Sequence, residues 1–129
     1  NQRLREPAMG DFAEAISYSA CRTSNVLNAK AIVAATTSGS TAKLISKYRP
    51  KCPIIAITPF EEVRRNLALN FGVLPLKCEM FNTTDEILTE AKNKAIEVDF
   101  ANPGDDIIVA AGMPTNYTGG TNMLKIEKL

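Results

Sequence analysis

The sequence predicts an α/β domain of three layers, in which a five-stranded, mainly parallel sheet lies between two layers of helices. Short apolar runs alternate with helix-like segments through the first four predicted strands. This alternation is typical of parallel sheets with right-handed crossovers. The run 54–57 is continuously apolar, as are strands covered on both faces. The last two predicted strands have no helix between them, so we expect the last strand to be antiparallel.

Local patterns locate each element of this fold. The predicted helices are 11–28, 39–48, 59–71 and 83–98, and the predicted strands are 31–35, 54–57, 73–76, 106–111 and 121–129. Hydroxyl or acidic N-caps with an acid three residues later mark three of the helix starts, at Asp11, Thr58 and Thr83. Pro75 indicates that the third strand lies near an edge of the sheet.

Two helices carry apolar residues at helical spacing, which predicts their buried faces. In the first helix these residues are Phe12, Ala15, Ile16, Ala20, Thr23, Val26 and Leu27. In the fourth helix they are Ile87, Leu88, Ala91, Ala95 and Ile96.

The composition restricts the classes of function. The length of 129 residues suits one domain, and we expect residues 1–10 to be a linker and 11–129 to be that domain. No run is long enough to cross a membrane and no secretory leader is seen. Three separated cysteines, Cys21, Cys52 and Cys78, suit a reducing cytoplasm. The absence of histidine excludes Ser-His and Cys-His nucleophile pairs and His metal sites, and we predict no catalytic or metal-ligating residue.

A loop of small hydroxyl residues is the main candidate for a binding site. It follows the first strand and precedes a helix, an arrangement in which backbone N–H groups and the helix dipole bind phosphate. This hydroxyl loop consists of Thr36, Thr37, Ser38, Gly39, Ser40 and Thr41. Unlike the three other helices, the helix after it has no acid in its first turn. The simpler interpretation is an ordinary N-cap without a ligand.

The distribution of charge favours an anionic ligand at this loop. No acidic residue occurs between Glu14 and Glu61, whereas six basic residues do, so this stretch carries +6 while the whole chain carries +1. Lys43 is the basic residue of this stretch nearest the loop and completes the predicted phosphate site. The basic residues are scattered, with no interleaved aromatic apart from Tyr48, so we expect no nucleic-acid partner. A solvated basic face is the alternative.

A second loop, between the last two strands, is expected at the same edge of the sheet. Both loops follow the carboxyl end of a strand, where ligands bind in α/β sheets. We call this second loop the closing loop, and its candidate residues are Thr115, Asn116, Tyr117, Thr118 and Gly119.

Several motifs together resemble the C-terminal domain of pyruvate kinase. They are TSGST at residues 37–41, SKYRP at 46–50 and PIIAIT at 53–58, and the resemblance extends from about residue 8 to the end of the chain. It implies the same five-stranded fold and an allosteric role in a cytoplasmic glycolytic enzyme. It also implies that the hydroxyl loop binds an effector phosphate, that the closing loop covers the ligand, and that the last strand takes part in tetramer assembly.

The resemblance implies that catalysis belongs to a separate barrel domain. That domain transfers phosphate from phosphoenolpyruvate to ADP with Mg²⁺ and K⁺, so this chain alone is expected to be inactive and to bind no cofactor. Members activated by fructose 1,6-bisphosphate often have an arginine near the fourth helix start and a tryptophan nearby. Residues 83–88 contain neither, and the chain has no Trp. AMP and ribose 5-phosphate therefore remain alternatives, as do a free-standing relative of the domain and a pure oligomerisation module without effector.

Overall fold

The computed structural model describes residues 12–111 and 123–129. Four helices lie in this part of the chain: α1 (Phe12–Leu27), α2 (Ser40–Lys47), α3 (Glu61–Leu67) and α4 (Thr84–Glu97). Five strands accompany them: β1 (Ala31–Ala35), β2 (Ile54–Thr58), β3 (Val73–Lys77), β4 (Asp106–Ala111) and β5 (Met123–Lys128). None of the helices in these residues is long and apolar enough to span a membrane.

The five strands form one sheet in the order β3-β2-β1-β4-β5. The first four strands are parallel, and β5 runs antiparallel to β4, with Ile126 opposite Ile108. The prediction of a mainly parallel sheet with an antiparallel last strand is therefore confirmed. Pro75 lies on β3 at one edge of the sheet, as its missing N–H predicted.

Helices cover both faces of the sheet, which confirms the three-layer arrangement. On one face Ile87, Ala91 and Ala95 of α4 pack against alternate residues of the central strands, among them Val33 and Val109. The other face packs against α1, α2 and α3 through the residues Ala20, Ala42, Ile45 and Leu67. β1 is buried along its whole length, because alternate side chains point into these two cores.

The predicted buried face of α1 is confirmed only at Ala20, which is buried, and in part at Ile16, which is half-buried against the core. The buried residues of α1 are small ones, Ser17, Ala20, Cys21 and Ser24, whereas Phe12 is 79% exposed and Val26 is 70% exposed. Small side chains let α1 lie close to α2 and to the sheet. The face of α1 that is buried is therefore the one with small residues and not the one with large apolar residues. In α4 the predicted face is largely confirmed, but Ile96 is half-exposed.

The start of α3 also differs from the prediction. Thr58 is the last residue of β2 rather than an N-cap, and the N-cap is Phe60, whose extended backbone delays the helix to Glu61. The prediction for α4 is confirmed, because Thr83 accepts a hydrogen bond from the Glu86 N–H and forms a capping box. The predicted N-cap Asp11 lies outside the described residues.

Candidate anion-binding site

The hydroxyl loop leaves the carboxyl end of β1 and turns into α2. The backbone N–H of Thr36 donates to the carbonyl of Ile57 at 3.0 Å, so the first residue of the loop is still hydrogen-bonded to β2. The Thr36 hydroxyl accepts a 2.7 Å hydrogen bond from the Gly39 N–H. Thr36 is 5% exposed. This buried hydrogen bond closes the turn and aims the following residues at the start of the helix.

The N-cap of α2 is Gly39, whose backbone lies in the left-handed region at φ +92°. An added Cβ there would lie 3.4 Å from Val63 and 3.4 Å from Leu67. The loop therefore packs against α3, and because 3.4 Å is an ordinary contact distance, glycine is favoured at this position by its positive φ. The Val63–Leu67 spacing of four residues predicts a shared helix face, but the sequence alone does not indicate that this face meets Gly39.

The exposed part of the hydroxyl loop lies between Thr36 and the helix. Thr37, Ser38 and Ser40 are exposed, and the Ser38 hydroxyl donates to the Ser40 hydroxyl at 3.1 Å. The Ser40 N–H donates to the Ser38 hydroxyl at 3.3 Å. The Ser38 oxygen thus occupies a position at the helix start where an anion oxygen would also be stabilised.

The basic side chains predicted near the loop have different partners. Lys43 is exposed on the first turn of α2, whose residues include no acid. Lys47, at the other end of α2, makes two hydrogen bonds to Glu14 of α1, at 2.8 and 2.9 Å. Lys43 is therefore better placed than Lys47 to attract an anion to the loop.

The carboxyl end of α2 is anchored to α1. The Tyr48 hydroxyl donates to Glu14 at 2.6 Å, and the Tyr18 and Tyr48 rings meet edge to face with centroids 5.7 Å apart. Hydrogen bonds from Lys47 and then Tyr48 lower the pKa of Glu14 below its usual value. Sequence reasoning did not find this cluster, because the pairing joins residues 33 and 34 positions apart.

The residues of the predicted site differ in exposure. Thr37, Ser38, Ser40 and Lys43 are exposed. Thr36, Gly39 and Thr41 are buried. The predicted closing loop, Thr115–Gly119, lies outside the described residues. Among the residues described, no group of three or more Cys, Asp or Glu side chains is arranged to hold a metal ion.

Comparisons with known proteins agree with this fold. The family model of the pyruvate kinase alpha/beta domain matches residues 14–127. The chain is 61% identical over 130 residues to a pyruvate kinase of Clostridium perfringens, covering 99% of this chain and 27% of that protein. It is 47% identical over 115 residues to a pyruvate kinase of Clostridium acetobutylicum, covering 89% of this chain and 24% of that protein.

A solved structure of Cryptosporidium parvum pyruvate kinase in complex with ADP superposes on this chain with a TM-score of 0.84 and 34% sequence identity. The match covers 95% of this chain and 24% of that protein. The chain therefore spans about a quarter of the length of the pyruvate kinases that it matches. With the family model matching most of its residues, this chain belongs to the pyruvate kinase alpha/beta domain family.

Proposed function

We propose that this chain is the regulatory C-terminal domain of a pyruvate kinase and binds a phosphorylated effector at the hydroxyl loop. The observation that carries the proposal is the start of α2. Its N-cap is a left-handed glycine, its first turn contains no acid, and Ser38, Ser40 and the first-turn Lys43 are exposed. Backbone donors, hydroxyls and a cation at one helix start are the groups that bind phosphate.

The position of the loop in the sheet supports the same proposal. β1 lies at the centre of the sheet between β2 and β4, and ligands of open parallel sheets bind at the carboxyl ends of such strands. Helices α3 and α4 carry their own acids in the first turn, Glu61 and Glu62 in α3 and Asp85 and Glu86 in α4. Among these three neighbouring helix starts, α2 alone has none.

Catalysis would then belong to the rest of the protein. The matched pyruvate kinases are about four times longer than this chain, and we assign phosphoryl transfer from phosphoenolpyruvate to ADP, with its Mg²⁺ and K⁺, to that remainder. This chain alone is expected to form no pyruvate. Pyruvate formation by the purified chain that is lost on mutating its residues would contradict this assignment.

Assembly through the last strand is the second part of the proposal. β5 is the outer strand of the sheet in the part of the chain described, and Ile126 on it is 49% exposed. An outer strand offers unpaired backbone groups to a second copy. Sedimentation of the wild-type chain and of Ile126→Lys would test this, because pairing predicts weak dimers that the lysine abolishes. Identical monomeric behaviour at high concentration would contradict it.

The alternatives predict different results in a ligand titration. A pure oligomerisation module binds no effector, whereas a regulatory domain binds at least one of fructose 1,6-bisphosphate, ribose 5-phosphate and AMP. The test is the melting temperature of the chain with each ligand and with inorganic phosphate. A rise with any phosphorylated ligand supports the regulatory function, and no change with all of them favours the oligomerisation module. A free-standing relative of the domain would be recognised by the sequence that precedes Asn1 in its natural protein.

A further inference from the structure

We infer that Cys21 and Cys52 form a redox-sensitive dithiol, which a low-molecular-weight disulfide converts into an intramolecular disulfide. The inference is independent of the hydroxyl loop and of the proposed effector. It assigns a modification site to two of the three free cysteines of the chain, Cys21, Cys52 and Cys78.

The two cysteines belong to segments that lie on the same face of the sheet. Cys21 is fully buried in the middle of α1, which covers this face through Ala20. Cys52 lies between α2 and β2 and is partly buried against the same core. Cys78 packs against the core on the opposite face. The sheet therefore separates Cys78 from the other two thiols.

Hydrogen bonds connect Cys21 to the chain next to Cys52. The Cys21 thiol donates to the Tyr48 carbonyl at 3.6 Å, and the Asn25 Nδ2 donates to the Cys21 sulfur at 4.0 Å. The Oδ1 of the same amide accepts a 3.1 Å hydrogen bond from the Lys51 N–H. One asparagine side chain thus contacts both the Cys21 thiol and the residue directly before Cys52.

Ser24, one helical turn after Cys21, contacts both cysteines. Its hydroxyl donates to the Cys21 carbonyl at 2.8 Å, and its side chain is hydrogen-bonded to the Cys52 thiol. Burial and then the charge of Cys52 raise the pKa of Cys21 to about 11, an effect that places the two sulfur atoms near each other. A disulfide requires Cα atoms no more than about 7 Å apart. Any remaining approach falls on the segment 48–53, which belongs to no helix or strand.

The reaction balances as two successive thiol–disulfide exchanges. Cys52 is half-buried whereas Cys21 is buried, so the Cys52 thiolate attacks the small disulfide first. This step forms a mixed disulfide at Cys52 and releases one small thiol. The Cys21 thiolate then attacks the Cys52 sulfur and releases the second small thiol. The chain gives up two protons and two electrons, and the small disulfide leaves as two thiols.

The surroundings of the pair favour the disulfide at equilibrium. A dithiol resists oxidation when a low pKa stabilises its thiolate. Here burial raises the pKa of both Cys21 and Cys52, and no basic side chain of the described residues lowers either one. The bond would also close a loop of about 30 residues, which restricts the unfolded chain and stabilises the folded one.

The test oxidises the folded, full chain with excess oxidised glutathione for a day at about pH 8, where exchange is faster than at neutral pH. An alkylating reagent in urea then blocks the remaining thiols, and mass spectrometry of tryptic peptides locates each cysteine. The same reaction carried out in urea is the reference, because all three pairings compete in the unfolded chain. Cys78→Ser is the control that keeps the pair, and Cys21→Ala is the variant that leaves Cys52 without its partner.

We expect a single bond between Cys21 and Cys52 in the folded chain, with Cys78 alkylated. The melting temperature should rise by about 5–10 °C, and dithiothreitol should reverse both changes. Cys78→Ser should behave as wild type, whereas Cys21→Ala should retain glutathione on Cys52. If Cys21→Ala is unfolded at the working temperature, Cys52→Ala replaces it and should keep the buried Cys21 unmodified.

The opposite results are equally specific. Three alkylated thiols in the oxidised wild type, or a stable glutathione adduct at Cys52, would show that Cys21 does not reach Cys52. A bond to Cys78 in the folded chain, a Cys21–Cys52 bond that forms only in urea, or one that lowers the melting temperature would also overturn the inference.

Discussion

The buried hydroxyl of Thr36 accepts a 2.7 Å hydrogen bond from the Gly39 N–H, so the first residue of the hydroxyl loop holds the N-cap of α2. Thr36→Val keeps the shape of the side chain but leaves this N–H without its partner. We expect a loss of about 1–3 kcal/mol in the free energy of unfolding, the cost of an unsatisfied buried donor. Urea unfolding measures it, with Thr37→Val as the control because Thr37 is exposed. Equal stabilities of the two variants would contradict this role for Thr36.

Gly39 and Gly104 both have a left-handed backbone, so alanine at each position measures the free-energy cost of that conformation. Their φ angles are +92° and +94°, and a Cβ at Gly104 would meet nothing within 4 Å. At Gly39 the Cβ would reach Val63 and Leu67 at ordinary contact distance. We therefore expect Gly39→Ala and Gly104→Ala each to cost about 1–2 kcal/mol in urea unfolding, from the backbone alone. A neutral or stabilising Gly39→Ala would show that the loop does not require this conformation.

Ser17 and Ser24 are two buried serines on the same face of α1 that differ in hydrogen bonding. Ser24 donates to the Cys21 carbonyl at 2.8 Å, whereas the Ser17 hydroxyl has no hydrogen-bond partner within the described residues. Ser17→Ala should therefore raise the free energy of unfolding by about 1 kcal/mol, since it removes an unsatisfied buried group. Ser24→Ala, which removes a hydroxyl that has a hydrogen-bond partner, should not raise the free energy of unfolding. A destabilising Ser17→Ala would mean that the hydroxyl contributes a contact to the fold.

The anchoring of α2 to α1 should depend on pH through Glu14. Its pKa in the folded chain is lowered from 4.5 by Lys47 and Tyr48, so its stabilisation is complete above the unfolded pKa and is lost as pH falls through the folded one. The stability difference between wild type and Glu14→Gln should therefore be largest near neutral pH and shrink below about pH 4. Urea unfolding from pH 7 to pH 3 measures it, with the exposed Glu97→Gln as control. A difference that is constant over this range would exclude the anchoring role of Glu14.

The order of elements could be predicted because it depends on local patterns. The strand β1 begins and ends where the apolar run 31–35 does, and β4 consists of Asp106 followed by the apolar run 107–111, since a buried parallel strand requires a continuous run. The buried face of α1 could not be predicted from its large apolar residues, because close contact with α2 and the sheet selects Ser17, Ala20 and Cys21 instead. Burial there depends on the neighbouring elements and not on the helix alone.

The candidate site was predictable only in part for the same reason. The exposed hydroxyls of Ser38 and Ser40 and the acid-free start of α2 follow from adjacent residues. The contact of Gly39 with α3 and the pairing of Lys47 with Glu14 join residues that are distant in sequence. These two contacts form only when the helices pack on the sheet, so the sequence alone does not predict them.

Titration of phosphate ligands into the wild-type chain and Ser38→Asp is the most direct measurement of the anion site. The Ser38 hydroxyl already accepts from the Ser40 N–H at 3.3 Å, so a carboxylate at position 38 would occupy the helix start and repel phosphate. We expect the wild type to bind at least one phosphorylated ligand. Ser38→Asp should lose that binding while melting at the same temperature or higher, and Asn93→Asp, with the same charge on exposed α4 surface, should keep it. If Ser38→Asp binds as tightly as wild type, or if wild type binds none of these ligands, the hydroxyl loop is only a helix cap.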